Sequence, residues 1–272
     1  MITVMEKETN LSMDFINDPI AILQMDKPSE ELKIIAVSRD PYLIKHFENP
    51  SKEMQMAAIN KIPFAIKCIK NPSEEIQLLA ASKNIYSATY IDEPCEKIQW
   101  IAFNKSMKLL KEMNTQLIDE VQIEAVKKDP TMILYLINPC EKAKNIAVEK
   151  MPILMLYMEN ITTEMICIAI KNDPFIIKDI DNPSESIQLM AINQNPNVIS
   201  CINNPSKKVQ MSAVKKDPLS IRYIKSPIES VQIEAILNNP ISIGLINNPT
   251  KRVLKILNKN NPLLVKYAKN NK

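Results

Sequence analysis

A proline recurs along most of the chain at intervals of 22 residues, and the segment PSESIQLMAINQNPNVISCINN, at 183–204, contains one complete period. When the first proline of each repeat is counted as position 0, alanine occupies position +8 in ten consecutive repeats. A fixed period of this length indicates a stacked array, in which each repeat buries its apolar face only against its neighbours. We therefore interpret the chain as a repeating solenoid.

The repeat positions can be followed along the whole sequence. Every step is 22 residues except the one from Pro94 to Leu117, which is 23, and a second proline recurs at position +13. A degenerate first repeat near Glu6 brings the total to twelve, of which the outer two are atypical. The other repeats start at Pro28, Pro50, Pro72, Pro94, Leu117, Pro139, Ile161, Pro183, Pro205, Pro227 and Pro249.

Composition favours helices over strands. Apolar residues make up 46% of the chain, which is enough for a continuous core, but Gly244 is the only glycine. Strands, tight hairpins and phosphate-binding loops normally use glycine. We therefore predict an all-α solenoid of about twelve 22-residue, two-helix repeats. We expect an N-terminal capping repeat at 1–27, ten repeats at 28–248, and a C-terminal capping repeat with a polar tail at 249–272.

Each repeat contains two helix-start patterns. In the first, Asn182 is predicted to be the N-cap, Pro183 the first helical residue, and Glu185 the partner that completes a capping box. In the second pattern, an aspartate or asparagine precedes the second proline, as in Asp217-Pro218. Because proline also disfavours helical geometry in the residue before it, each pattern ends one helix and starts the next. This predicts a long helix of about three turns followed by a short helix of about two.

Apolar residues follow helical spacing in both helices. Positions +4, +8 and +9 of the long helix and positions +16 and +19 of the short helix are predicted to form the core. Glutamine recurs at +5, where two interpretations are open: a structural amide that satisfies backbone groups between repeats, which we favour, or an exposed row that contacts a ligand. These glutamines are Gln55, Gln77, Gln99, Gln122, Gln188, Gln210 and Gln232.

The repeat is irregular between residues 85 and 117. Ile85 and Met107 replace the second proline, the extra residue lies near Met113, and Trp100 is the only tryptophan. Such an irregularity is either a bend that creates a binding site or a drift with a packing adjustment. We favour the second interpretation.

Several classes of function are disfavoured by composition. His46 is the only histidine, which excludes most metal and triad schemes, and the five cysteines are odd in number and scattered. No stretch reaches the roughly 18 apolar residues of a membrane span. We expect a cytoplasmic protein that has no enzymatic activity, binds no cofactor or metal, and has no membrane partner.

The residues that vary between repeats point to a binding surface on the short helices. Five of the seven tyrosines fall at position +18, and position +17 beside them is mostly lysine or arginine. We predict that these positions line a groove and bind a partner. The candidates are Lys45, Lys67, Tyr90, Tyr135, Tyr157, Lys178, Arg222, Tyr223, Lys266 and Tyr267.

Three interpretations of this surface remain open. Tyrosine and arginine are typical of protein interfaces, which favours a protein or peptide partner. The same alternation of lysine and tyrosine suits nucleic acid, since bases stack on rings and phosphates pair with lysines. Glu112, Asp179 and a net charge of only +3 disfavour that alternative. In the third interpretation, the tyrosines only bridge neighbouring short helices.

The segment VQMSAVKKDPLSIRYIKSP, at 209–227, resembles the leucine-rich repeat variant family, and DEVQIEAVKKDPTMILYLI, at 119–137, resembles helical repeats of unassigned function. The resemblance covers almost the whole chain and implies alternating longer and shorter helices in a right-handed superhelix. The family has valine and arginine where this chain has valine and glutamine. No cysteine cluster matches the iron-sulfur segment of some family members, so the resemblance implies no cofactor.

The alanine at +8 leads to a first prediction. Ala191→Leu should overpack the contact between adjacent long helices and lower the free energy of unfolding by about 1–3 kcal/mol. Thermal denaturation measures the effect. An unchanged melting temperature would contradict the assignment of +8 to the core.

Overall fold

The computed structural model describes residues 18–268, and within this range every regular element is a helix. The chain divides into two compact units, Met1–Ala143 and Lys144–Lys272, which are described separately below. No helix within 18–268 combines the length and apolar character needed to cross a lipid bilayer.

Each repeat folds into a ten-residue α-helix followed by a six-residue helix, which confirms the predicted lengths. With one exception the short helices are 3₁₀ helices, whose three residues per turn give two turns. In the first unit the long helices are Glu30–Arg39, Lys52–Lys61, Glu74–Lys83, Glu96–Lys105 and Asp119–Lys128, and the short ones are Pro19–Gln24, Pro41–His46, Pro63–Cys68, Ile85–Tyr90, Met107–Glu112 and Pro130–Tyr135.

The second unit has the same construction, and the division between the units falls within helix Glu141–Lys150. Its other long helices are Thr163–Asn172, Glu185–Gln194, Lys207–Lys216, Glu229–Asn238 and Lys251–Asn260, and its short helices are Pro152–Tyr157, Pro174–Asp179, Pro196–Cys201, Pro218–Tyr223, Pro240–Leu245 and Pro262–Tyr267.

Within each unit the helices form two layers. Long helices pack on the long helices of adjacent repeats, as Lys207–Lys216 packs on both Glu185–Gln194 and Glu229–Asn238. Short helices pack on short helices in the same way, as Pro63–Cys68 packs on Ile85–Tyr90. The chain is therefore an all-α solenoid built from 22-residue repeats. The right-handed superhelix implied by the family resemblance stays a prediction.

The core lies between the two layers. All ten alanines at +8 are completely buried, and the residues at +16 are buried in every repeat from Pro28 to Pro227. Position +15 is equally buried, which the sequence pattern did not reveal because Ser87, Ser220 and Ser242 interrupt it. The chain therefore buries two adjacent residues in each short helix.

The prediction for the first helix-start pattern is wrong in its details. The N-cap is the serine at +1: Ser51, Ser184 and Ser206 each accept a hydrogen bond from the backbone N–H three residues later, at 3.2–3.4 Å. Proline precedes the N-cap, and the residue at +2 is the first helical residue, Glu185 after Ser184 but lysine after Ser51 and Ser206. An acidic residue there still interacts favourably with the positive end of the helix.

The asparagine before the proline has a different role from the one predicted. Asn71, Asn182 and Asn204 have φ values of 47–49°, in the left-handed region. Asparagine tolerates this region better than other non-glycine residues because its short side chain can bond locally. A chain with one glycine thus uses asparagine to make the turn between the short helix and the next long helix.

The second helix-start pattern works as predicted. The aspartate or asparagine before the second proline caps the short helix by accepting a hydrogen bond from the N–H two residues later. For example, Asp40 accepts from Tyr42 at 3.1 Å and Asp217 accepts from Leu219 at 2.9 Å. Proline then occupies the first helical position, where no N–H is needed.

The irregular segment keeps its long and short helices but changes the type of one short helix. Helix Met107–Glu112 is α-helical, unlike the other short helices, and the extra residue is taken up in the turn after it, where Asn114 has φ of 40°. The long helices on either side, Glu96–Lys105 and Asp119–Lys128, still pack on each other. Loss of proline alone does not cause the change, because Ile85–Tyr90 lacks it and is a 3₁₀ helix.

Four of the seven glutamines at +5 bond the backbone of two repeats, as the favoured interpretation predicts, whereas within residues 18–268 Gln55, Gln188 and Gln210 bond only the proline carbonyl of their own repeat and Gln210 Oε1 has no hydrogen-bond partner. The side-chain Nε2 of Gln122 donates to the carbonyl of Leu117 at 2.7 Å, and its Oε1 accepts from the backbone N–H of Cys140 at 2.8 Å. Gln77, Gln99 and Gln232 make the same pair of bonds. Because the second bond reaches the first turn of the following repeat, each of these four amides joins two repeats.

The glutamine joint leads to a second prediction. Gln122→Met should remove both bonds while preserving the side-chain volume, and should lower the free energy of unfolding by about 1–3 kcal/mol, since buried backbone groups lose their partner. Gln188→Met is the matched control, because Gln188 is half-buried and should cost less than half as much. Urea denaturation measures both. Equal losses would contradict the structural role of the joint.

Candidate partner-binding face

The ten predicted binding residues are all exposed, and each is one of the last two residues of a short helix. We call the surface formed by these helices in each unit its short-helix face. In the first unit the face carries Lys45, Lys67, Tyr90 and Tyr135; in the second unit it carries Tyr157, Lys178, Arg222, Tyr223, Lys266 and Tyr267.

Helix geometry explains why these positions are exposed. In a 3₁₀ helix, residues three apart lie above each other. Positions +15 and +16 face the core, so positions +14 and +17 share the outer side. Position +18 lies above the buried +15, but it is the last helical residue, and the five tyrosines there are exposed.

In the first unit, Lys67 lies between two aromatic rings from neighbouring repeats. Its Nζ is 5.0 Å from the ring centre of Tyr42 and 5.9 Å from that of Tyr90. Tyr90 also packs edge to face against Phe64, with ring centres 5.7 Å apart. Cation–π contacts of this kind stabilise exposed sites by about 0.5–1 kcal/mol. These four residues therefore bridge three successive short helices.

A second group in the first unit surrounds Lys111. Its Nζ lies 4.2 Å from the ring centre of Tyr135 and 3.8 Å from a carboxylate oxygen of Asp129. The hydroxyl of Thr131 donates to the same carboxylate at 2.6 Å, and this bond is the main cause that lowers the pKa of Asp129. The backbone N–H of Thr131 and the charge of Lys111 also lower this pKa, whereas partial burial of the carboxylate raises it. Asp129 thus holds Lys111 near the tyrosine.

In the second unit, the predicted residues pair along the chain. The guanidinium of Arg222 is 5.4 Å from the ring centre of Tyr223, and Lys266 Nζ is 5.1 Å from that of Tyr267. Tyr157 is 70% exposed. Lys178 is followed by Asp179, so the positive charge is locally balanced there.

Crevices between successive repeats lie beside the predicted residues. One, of about 380 Å³, is lined by Lys67, Tyr90 and the buried Gln77 in the first unit. Two others, of about 370 and 430 Å³, occupy the same position in the second unit, next to Lys178 and Tyr223. Asparagine and proline of the first helix-start pattern line each crevice. The recurring Asn-Pro pair was the available signal, but it was assigned only to capping.

Apolar residues on the same face were also missed as candidates. In the first unit Leu134 is 47% exposed beside Tyr135, and Ile137 is exposed close to both in sequence. In the second unit Ile153 and Phe175 are exposed on short helices. Leu134 occupies position +17, which is mostly basic in the other repeats, and its exposure makes it a further candidate contact residue.

Neither a metal centre nor a disulfide framework is found within residues 18–268. No three histidine, cysteine or acidic side chains come together there in a metal-binding arrangement. The five cysteines are free thiols, each partly buried, as expected for packing residues.

Comparisons of the chain with protein-family models, curated proteins and solved structures find no match. The resemblance to leucine-rich repeat variant proteins therefore stays a prediction. The arguments for function come from the short-helix faces themselves.

The Asp129 group leads to a third prediction. Thr131→Val should raise the pKa of Asp129 toward its ordinary value, because the main hydrogen bond to the carboxylate is lost. Lys111→Met should raise the pKa of Asp129 by a smaller amount. Since the pKa is lowered in the folded protein, the carboxylate stabilises the fold above its unfolded-state pKa, and this contribution disappears as pH falls through the folded-state value. NMR titration of the Asp129 side chain measures both shifts. A larger shift for Lys111→Met would contradict the assigned cause.

Proposed function

We propose that the protein is a non-enzymatic helical-repeat scaffold that binds a protein or peptide partner through its short-helix faces. The observation that carries the proposal is the exposure of aromatic and aliphatic side chains on these faces beside cations held by rings and carboxylates. Tyrosine and arginine concentrate at the energetic centres of protein interfaces.

Residues around Tyr135 support the proposal in the first unit. Tyr135 is 56% exposed, and Leu134 and Ile137 offer apolar surface near it. Lys111 contacts both the ring of Tyr135 and the carboxylate of Asp129. A partly fixed ring loses less side-chain entropy on binding than a free one, which favours affinity.

The second unit offers a similar combination. Tyr157 and Ile153 are exposed on one short helix, and Tyr223 lies at the mouth of the crevice of about 430 Å³. A crevice of this size takes one side chain of an extended peptide. Repeats at a constant spacing would then present successive crevices to successive side chains.

Single-stranded nucleic acid is the alternative partner. The lysines at +17 beside tyrosines support it, as bases could stack on the rings. Asp129 and Asp179 reduce the positive charge of the faces, and Lys111 is paired with Asp129. These charges favour a protein or peptide over a polyanion.

Composition supports the remaining parts of the proposal. One histidine and one glycine leave few residues for catalysis or phosphate binding, so we assign no reaction and no cofactor to the protein. The odd number and scattered positions of the five cysteines support a cytoplasmic location, where disulfides are rare.

The fourth prediction tests the proposed faces. Tyr135→Ala and Tyr157→Ala should each weaken binding of a partner captured with the native protein about tenfold or more, the typical loss at an interface hot spot. Ile101→Ala and Leu237→Ala are matched controls, because both residues are exposed on long helices and should leave affinity unchanged. Pull-down with mass spectrometry identifies the partner, and calorimetry measures its affinity.

Two outcomes would overturn the proposal. If both tyrosine variants bind a confirmed protein partner like the native chain, the short-helix faces are not the interface. If the protein instead binds single-stranded nucleic acid at micromolar or lower Kd, with affinity that falls steeply as salt rises, the polyanion alternative is correct.

A further inference from the structure

Charge is distributed unevenly along the chain. Residues 249–272 contain six lysines and one arginine and no acidic residue. Since the net charge of the chain is +3, the other residues together carry a net charge of −4. The repeat that starts at Pro249 is thus strongly basic in an otherwise slightly acidic protein.

The same repeat exposes apolar side chains that earlier repeats bury. Helix Pro262–Tyr267 contains no fully buried residue: Leu264 and Val265, at +15 and +16, are half-buried, and Leu263 is 82% exposed. In the repeats before it, the residues at +15 and +16 are buried. We call the exposed surface of Lys251, Arg252, Lys255, Lys259, Leu263 and Lys266 the basic patch.

An exposed surface of opposite charge lies at the start of the described chain. It combines the apolar Ile20 and Leu23 with four carboxylates, and Lys27 is the only basic residue between 18 and 31, so this segment has a net charge of −3. We call Asp18, Ile20, Leu23, Asp26, Glu30 and Glu31 the acidic patch. Both patches thus pair exposed aliphatic side chains with charges that are mostly of one sign, although Glu30 also contacts Lys33 at 3.7 Å and Arg252 contacts Glu229 at 3.5 Å.

Contacts between successive repeats in this protein already use both kinds of interaction. In the first unit Lys52 pairs with Glu75 at 2.6 Å, one repeat away, and Lys97 pairs with Glu74 at 2.7 Å. In the second unit Lys208 pairs with Glu185 at 3.4 Å. Apolar packing and an ion pair of opposite charges therefore accompany each other where one repeat meets the next.

We propose that the basic patch binds the acidic patch of a second molecule of the same chain, so that the protein associates head to tail. The second molecule supplies the carboxylates that attract the cations of the basic patch. It also supplies the exposed aliphatic side chains of Ile20 and Leu23 for Leu263 to pack against. Nucleic acid would bind only the lysines, and an anionic membrane would bind the lysines and Leu263. Neither partner accounts for the matching acidic patch. Because the two patches differ, the contact is heterologous and leaves one patch free at each end of the assembly.

Sedimentation velocity of the 272-residue protein tests the proposal. The average mass should rise with protein concentration and fall as salt is added, since exposed charges are screened. Lys255→Glu with Lys259→Glu, or Asp26→Lys with Glu31→Lys, should each abolish association. The control is Lys207→Glu with Lys215→Glu, which changes the same charge at exposed positions of the second unit outside the patch and should associate like the native protein.

Mixing the two patch variants gives the decisive result. The basic-patch variant keeps a native acidic patch and the acidic-patch variant keeps a native basic patch, so these two surfaces should bind each other. The two altered patches no longer carry opposite net charges, so the mixture should form 1:1 dimers that do not grow further. A native protein that stays monomeric at all concentrations overturns the proposal, as does a control variant that also loses association. Binding of the native protein to anionic vesicles or DNA without self-association would overturn it too, and would assign the basic patch to a polyanion.

Lys266 belongs to both the basic patch and the short-helix face of the second unit, but the patch variants leave it and the tyrosines tested by the pull-down unchanged. Loss of self-association in the patch variants with partner binding intact would separate the two surfaces.

Discussion

The hydrogen bonds of four of the glutamines at +5 connect the backbone of one repeat to the backbone of the next. Gln99 illustrates this: its amide donates to the carbonyl of Pro94 and accepts from the N–H of Ile118, the N-cap of the following long helix. Because both partners are main-chain groups, the joint does not depend on the side chains of the adjacent repeat. Exposed positions can therefore vary, and substitutions at +17 and +18 have little effect on the stability of the stacked repeats.

The period and the helical spacing of apolar residues were enough to predict the order and lengths of the helices within residues 18–268. The capping residues were not, because Asn182 and Ser184 are both good N-caps in a sequence, and only the backbone shows that Asn182 is in the left-handed region. The burial of position +15 was not predicted for a related reason: Ser220 is a polar residue in the sequence, but it is completely buried. Sequence patterns report the average environment of a position, whereas caps and buried serines depend on local geometry.

Exposure of the candidate lysines and arginine at +17 follows from the spacing within one short helix, whereas the tyrosines at +18 lie above the buried +15 and only the structure shows that they are exposed. The mutual contacts of the candidate residues were not predictable either. Lys67 reaches Tyr42 and Tyr90 because the short helices of three successive repeats stack closely, and the crevices lie beside the asparagine turn that joins one repeat to the next. Such features depend on distances between repeats, which a single repeat does not encode.

These contacts also bear on the choice between partners. Lys67 is engaged by two rings, and Lys111 by a ring and a carboxylate. A phosphate backbone would have to compete with these interactions or accept a cation whose charge is already partly balanced. A tyrosine ring held in place by such a cation, by contrast, is preorganised to pack against an apolar side chain of a protein. In the proposed function, cations such as Lys67 and Lys111 would therefore act by orienting the aromatic rings, which favours a protein surface over a polyanion as the partner.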